Sequence, residues 1–117
     1  MIKMCDEMKK LRELLSERDI PWEDKSCICP SDFILESVSR GVPYNYADLP
    51  IYRTRFTVCG HRFSVIHGYG TYGGYDAFTG VDNGRLEVMS DLTNEPVGDV
   101  DADFVIKMVD NLLGKSA

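Results

Sequence analysis

Two β-prone runs, Tyr52 to Val58 and His61 to His67, are separated only by Cys59 and Gly60. So short a link closes into a two-residue hairpin turn, with glycine supplying a positive φ, and it fixes which residues lie opposite one another. Val58 is expected to pair with His61, Phe56 with Phe63, Thr54 with Val65 and Tyr52 with His67. Strand side chains alternate between faces, so these pairs share one side, and Arg53, Arg55, Thr57, Arg62, Ser64 and Ile66 take the other. One face is apolar and aromatic; the opposite face is rich in arginine.

The flanking sequence supplies what an apolar sheet face needs. Met4, Cys5, Met8, Leu11, Leu14 and Leu15 recur at three- and four-residue steps and predict an amphipathic helix over about residues 2–18, stopped by Pro21. Residues 21–31 read as a polar turn region, Phe33 to Val38 as a strand, and Arg40 to Pro50 as a loop. A strand is expected over Arg85 to Met89 after the Asp82-Asn83-Gly84 turn. Asp101 reads as the N-cap of a last helix with an apolar stripe of Phe104, Val105, Met108, Val109, Leu112 and Leu113, closed by Gly114. The expected fold is α+β: an antiparallel sheet of three to four strands, with the N- and C-terminal helices packed on its apolar face. At 117 residues, with 44% hydrophobic and 27% charged residues, the chain suits one globular domain spanning 1–117. No internal repeat or low-complexity segment stands out.

Charge narrows the partners. A net charge of −6 and a pI near 4.8 argue against direct duplex DNA binding over a broad face. No apolar run has signal-peptide or membrane-spanning length, so a cytoplasmic protein without membrane contact is expected. The charge is also segregated. Residues 50–67 carry three arginines and no acid, while residues 76–103 carry eight acids against Arg85 alone. Arg53, Arg55 and Arg62 have the guanidinium forks that suit phosphate or carboxylate oxygens; the alternative is that they pair with the protein's own Asp and Glu or simply face water, since exposed sheet faces commonly carry Arg and Thr.

The next segment, residues 68–80, combines five glycines with Tyr69, Tyr72, Tyr75 and Phe78. Its Gly68 to Gly73 portion matches GxGxxG formally, yet no helix follows, so it does not read as a dinucleotide fingerprint. Rings on a glycine-rich backbone can stack on bases or fill a partner's pockets, or fold back over the core. Cys27, Cys29, Cys59 and His61 offer four zinc donors, but one-residue spacings fit a tetrahedral site poorly, and no metal or other cofactor is expected. An enzyme would have to use His67 as general base with Asp76 orienting it, and no nucleophile motif accompanies them. Asp99, Asp101 and Asp103 can favour the start of the last helix or, in an acidic half of the chain, imitate nucleic acid.

The stretch GHRFSVIHGYGTYGG at 60–74, followed by Leu86-Glu-Val-Met and Glu95-Pro-Val-Gly before a terminal helix, resembles a group of small accessory proteins of bacterial phages and prophages. The opening helix ending in Ile20-Pro21-Trp22-Glu23-Asp24 is similar too. The resemblance spans most of the chain, but Asp99-Val100-Asp101 departs from the bulkier, Thr-type helix start of that pattern. The segments Cys27-Ile28-Cys29 and Tyr44-Asn45-Tyr46 stand apart from it as well. It implies a phage accessory protein that blocks or sequesters a host component. The combined expectation is a non-enzymatic binding protein, an inhibitor of a host defence or regulatory system. Arg53, Arg55, Arg62, His67, Tyr69, Tyr72 and Tyr75 would grip an anionic nucleotide-like small molecule or a host protein. An exposed aromatic loop is also compatible with a symmetric homodimer.

Overall fold

The computed structural model describes residues 4–28, 50–68 and 83–114. The expected strand at 33–38, most of the 40–50 loop and the ring-bearing segment from Tyr69 to Gly80 lie outside them.

The hairpin forms in the expected register. β3 (Pro50–Val58) and β4 (His61–Gly68) pair antiparallel, with Val58 opposite His61, Phe56 opposite Phe63, Thr54 opposite Val65 and Tyr52 opposite His67. Both turn residues are left-handed, Cys59 at φ 51° and Gly60 at φ 81°. That twist is the one that continues two right-twisted strands without splaying them.

The sheet is wider than three or four strands. β1 (Trp22–Asp24) and β2 (Cys27–Ile28) both lie antiparallel along β3, Trp22 opposite Phe56 and Cys27 opposite Ile51, in one unbroken register. They form a single interrupted edge strand where the sequence suggested only a turn. At the interruption Ser26 Oγ accepts from the Arg53 backbone N–H at 3.1 Å, so a side chain replaces a ladder carbonyl. On the far side β4 pairs with β5 (Leu86–Ser90), and β5 with the short β6 (Val97–Val100) through a bulge. The result is an antiparallel sheet with five strand positions and a pair of helices.

Helix α1 (Asp6–Glu17) buries Met8, Leu11 and Leu15, and helix α2 (Ala102–Leu112) buries Ala102, Val105, Ile106 and Val109. These join Phe56, Val58, Phe63, Val65, Leu86 and Val88 in one core. Of the expected stripe, Val105 and Val109 are buried and Met108 and Leu112 pack against the core, whereas Phe104 and Leu113 are exposed and Ala102 and Ile106 are buried in addition. α1 ends where Asp19 turns left-handed at φ 57° and the Ile20 N–H reaches back to the Leu15 carbonyl at 2.9 Å, before Pro21 acts.

The helices run side by side in the same direction, tied at three points. The Glu7 carboxylate accepts from the Ala102 N–H at 2.9 Å, Lys10 meets Asp103 at 3.1 Å, and Arg18 grips Asp110 through two bonds of 2.8 and 3.0 Å. Asp101 caps α2 as expected, accepting from the Phe104 N–H at 2.8 Å. No helix among the described residues is long and apolar enough to cross a membrane.

Candidate functional site

With both helices and the core on one side, the other side of the sheet is where strand side chains can meet a ligand. Arg55, Thr57 and Arg62 are exposed there, and Ser64 is half-buried. Two rows run across the sheet. In the first, Glu23 stands opposite Arg55, Arg55 opposite Ser64, and Ser64 opposite Met89. The second is Thr57 opposite Arg62, and the β1–β3 and β4–β5 registers, continued one residue past the strand ends, bring Pro21 beside Thr57 and Asp91 beside Arg62. These eight residues line a depression of about 720 Å³ whose floor is the Phe56–Phe63 step of the hairpin. Beneath that floor, on the core side, the two phenyl rings stack with centroids 4.8 Å apart and planes within 4°. The floor is therefore packed and stiff.

The cations and acids of the depression differ in one respect. Glu23 is engaged by Lys25 at 3.4 Å, and Asp91 by the His61 ring at 2.9 Å. The His61 hydrogen bond, aided by the Arg62 backbone N–H and by the charges of His61 and Arg62, holds the Asp91 carboxyl below the usual range. Arg55 and Arg62 make no ion pair among the described residues. They sit on one diagonal of a four-residue patch, with Thr57 and Ser64 on the other. Diagonal neighbours on paired strands are about 7–8 Å apart, so two guanidiniums can converge on one anionic group or hold two adjacent ones.

The other expected site residues are distributed differently. Arg53 lies one row away from the depression and is half-buried, with its Nε buried and without a hydrogen-bond partner among the described residues. The face closes toward that end, where Glu87 is only 7% exposed. His67 projects to the core side, fully buried, with Nδ1 at 2.9 Å from the Arg85 carbonyl. It therefore shares no surface with Arg55 and Arg62. Tyr69, Tyr72, Tyr75 and Asp76 lie outside the described residues.

For the zinc reading, Cys29 and the side chain of Cys27 are likewise outside them. No group of three or more His, Cys, Asp or Glu assembles among the described residues. Cys59 is exposed, with Sγ donating to the Leu112 carbonyl at 3.5 Å. The acidic run is engaged internally: Arg85 reaches Asp99 at 4.0 Å and Asp101 at 3.5 Å, and Asp103 holds Lys10.

Glu23, Asp91, Pro21 and Met89 escaped the sequence reading because they reach the depression from neighbouring strands. A signal for the centre of the site was nevertheless present. Arg55-Phe56-Thr57-Val58 is echoed seven residues later by Arg62-Phe63-Ser64-Val65. Set against family models, curated proteins and solved structures, the chain matches none.

Proposed function

We propose that this is a non-enzymatic binding protein that takes an anionic ligand on the open face of its sheet, between Arg55 and Arg62. One observation carries the reading. In a chain of net charge −6, two exposed guanidiniums line the same depression with no ion pair to a carboxylate among the described residues, while the acids beside them are engaged by Lys25 and His61. Guanidinium forks bind phosphate and carboxylate oxygens in pairs, and hydroxyls at Thr57 and Ser64 add donors at the same place. Among the described residues no side chain of the depression is a nucleophile held by a base, and occupancy rather than turnover is the mode of action we propose. The resemblance to phage accessory proteins extends this to an inhibitor that sequesters a host ligand or blocks an anionic host surface.

Calorimetric titration with inorganic pyrophosphate tests the reading. The wild type is expected to bind, with affinity falling as salt is raised. The Arg55→Glu/Arg62→Glu variant, altered only at exposed positions, is expected to lose about 100-fold or more through reversed charge. Equal binding by that variant, or no binding by the wild type, would refute the reading.

A further inference from the structure

A direct repeat placed on two antiparallel strands generates a local two-fold axis. Here the axis passes through the Phe56–Phe63 pair, perpendicular to the sheet, and exchanges β3 with β4. It relates Arg55 to Arg62 and Thr57 to Ser64, which the tetrapeptide echo already requires. It also relates residues that belong to no repeat. Glu23, beside Arg55 on β1, maps onto Asp91, the first residue after β5, where the β4–β5 register continued by one step meets Arg62. Pro21 maps onto Met89. Cation matches cation, hydroxyl matches hydroxyl, acid matches acid and apolar matches apolar.

Such a surface is complementary to a molecule with its own two-fold axis. The centre offers two guanidiniums and two hydroxyls, which are donors for phosphoryl oxygens. Each outer corner offers a carboxylate, which accepts hydrogen bonds only, so each end of the ligand must donate. Strand spacing and rise put the two carboxylate positions roughly 14–17 Å apart. The apolar corners at Pro21 and Met89 provide contact area for flat rings. Phosphoryl groups in the middle and an N–H-bearing ring at each end describe a dinucleotide.

We infer that the depression binds a two-fold symmetric dinucleotide, its phosphates between Arg55 and Arg62 and its two bases hydrogen-bonded to Glu23 and Asp91. The inference rests on the anion-binding reading above and adds symmetry and base recognition to it. Guanine, which presents adjacent ring and exocyclic N–H donors to a carboxylate, fits the corners best. The class has two chemical sources, dinucleotides closed into a ring by two phosphodiesters and dinucleosides bridged linearly by a phosphate chain.

Calorimetry with cyclic di-GMP, diguanosine tetraphosphate and GMP decides the matter. At least one symmetric probe is expected to bind about 100-fold or more tighter than GMP, since its second half adds its contacts without a second association event. Which of the two binds identifies the source. Arg55→Ala and Arg62→Ala should each weaken that probe by about tenfold, and by the same factor within about threefold. Glu23→Gln and Asp91→Asn should likewise form a matched pair. GMP binding as tightly as both symmetric probes, or an Arg55→Ala penalty far from that of Arg62→Ala, would overturn the symmetric assignment and leave anion binding standing. If none of the probes binds, and pyrophosphate does not either, both readings fall together.

Discussion

Phe63→Ala is expected to lower the unfolding free energy by about 3–5 kcal/mol, the cost of deleting a fully buried aromatic ring from a packed core. Phe63 is 2% exposed and stacks on Phe56 at 4.8 Å. Its strand is the centre of the sheet, with β3 on one side and β5 on the other. Neither strand can close over the cavity without dragging the registers that hold the outer face. For a chain of this size each kcal/mol moves the melting temperature by roughly 3–5 °C, so a fall of roughly 10–25 °C should be seen by circular dichroism. A shift below about 1 kcal/mol would mean that the ring does not anchor the hairpin. The ring lies directly beneath the depression, so the packing that stabilises the fold also stiffens the binding surface above it.

Arg12→Ala should cost about 2–3 kcal/mol, an unusually large effect for an arginine near a protein's edge. Its Nε donates to the hydroxyl of the buried Thr54 at 2.8 Å, its Nη2 reaches Asp24 at 3.2 Å and the Arg53 carbonyl at 3.3 Å, and its guanidinium lies 4.7 Å from the Trp22 ring centroid. One side chain thus fastens α1 to the edge strand that presents Glu23. Arg12→Met keeps the aliphatic stem, so it separates packing from hydrogen bonding, and most of the loss should persist in it when both are unfolded in urea. The same cluster carries a pH signature. Ser26, through its hydroxyl and its backbone N–H, and then Arg12 hold the Asp24 carboxyl below the ordinary range. A carboxyl depressed in the folded state stabilises above its unfolded value, near pH 4, and that contribution disappears as pH falls through the folded value. Asp24→Asn should therefore flatten the fall in melting temperature between about pH 5 and pH 2. An acid limb as steep as that of the wild type would assign it to other groups.

The hairpin was legible because two independent constraints coincide in it. The two-residue link admits one register, and alternation then assigns every side chain to a face. The last helix was legible at its ends, through Asp101 and Gly114, but less so in its facing. Ile106 and Ala102 turn inward, while Phe104, between them in sequence, is left outside. The edge strand at 22–28 carried no local signal, since Glu, Asp, Lys and Ser have little strand preference. It exists because β3 offers an unpaired edge and Arg12 pins Trp22 and Asp24 against it. β6 was equally silent, four residues containing Gly98 and a left-handed Asp99 at φ 57°. Pro21 and Glu23 reach the depression from the start of the edge strand, and Met89 and Asp91 from the end of β5 and the turn after it. The sequence therefore displayed the two arginines at its centre and concealed the acids and apolar corners around them.

Whether the open sheet face is a binding surface is answered most directly by following the backbone amide spectrum of the wild-type protein during titration with pyrophosphate. Saturable shifts concentrated at Arg55, Thr57, Arg62 and Ser64, with α1 and α2 unmoved, are the expected result. Shifts centred on another part of the chain, or none at concentrations where calorimetry detects binding, would place the anion elsewhere and contradict a site between the two guanidiniums.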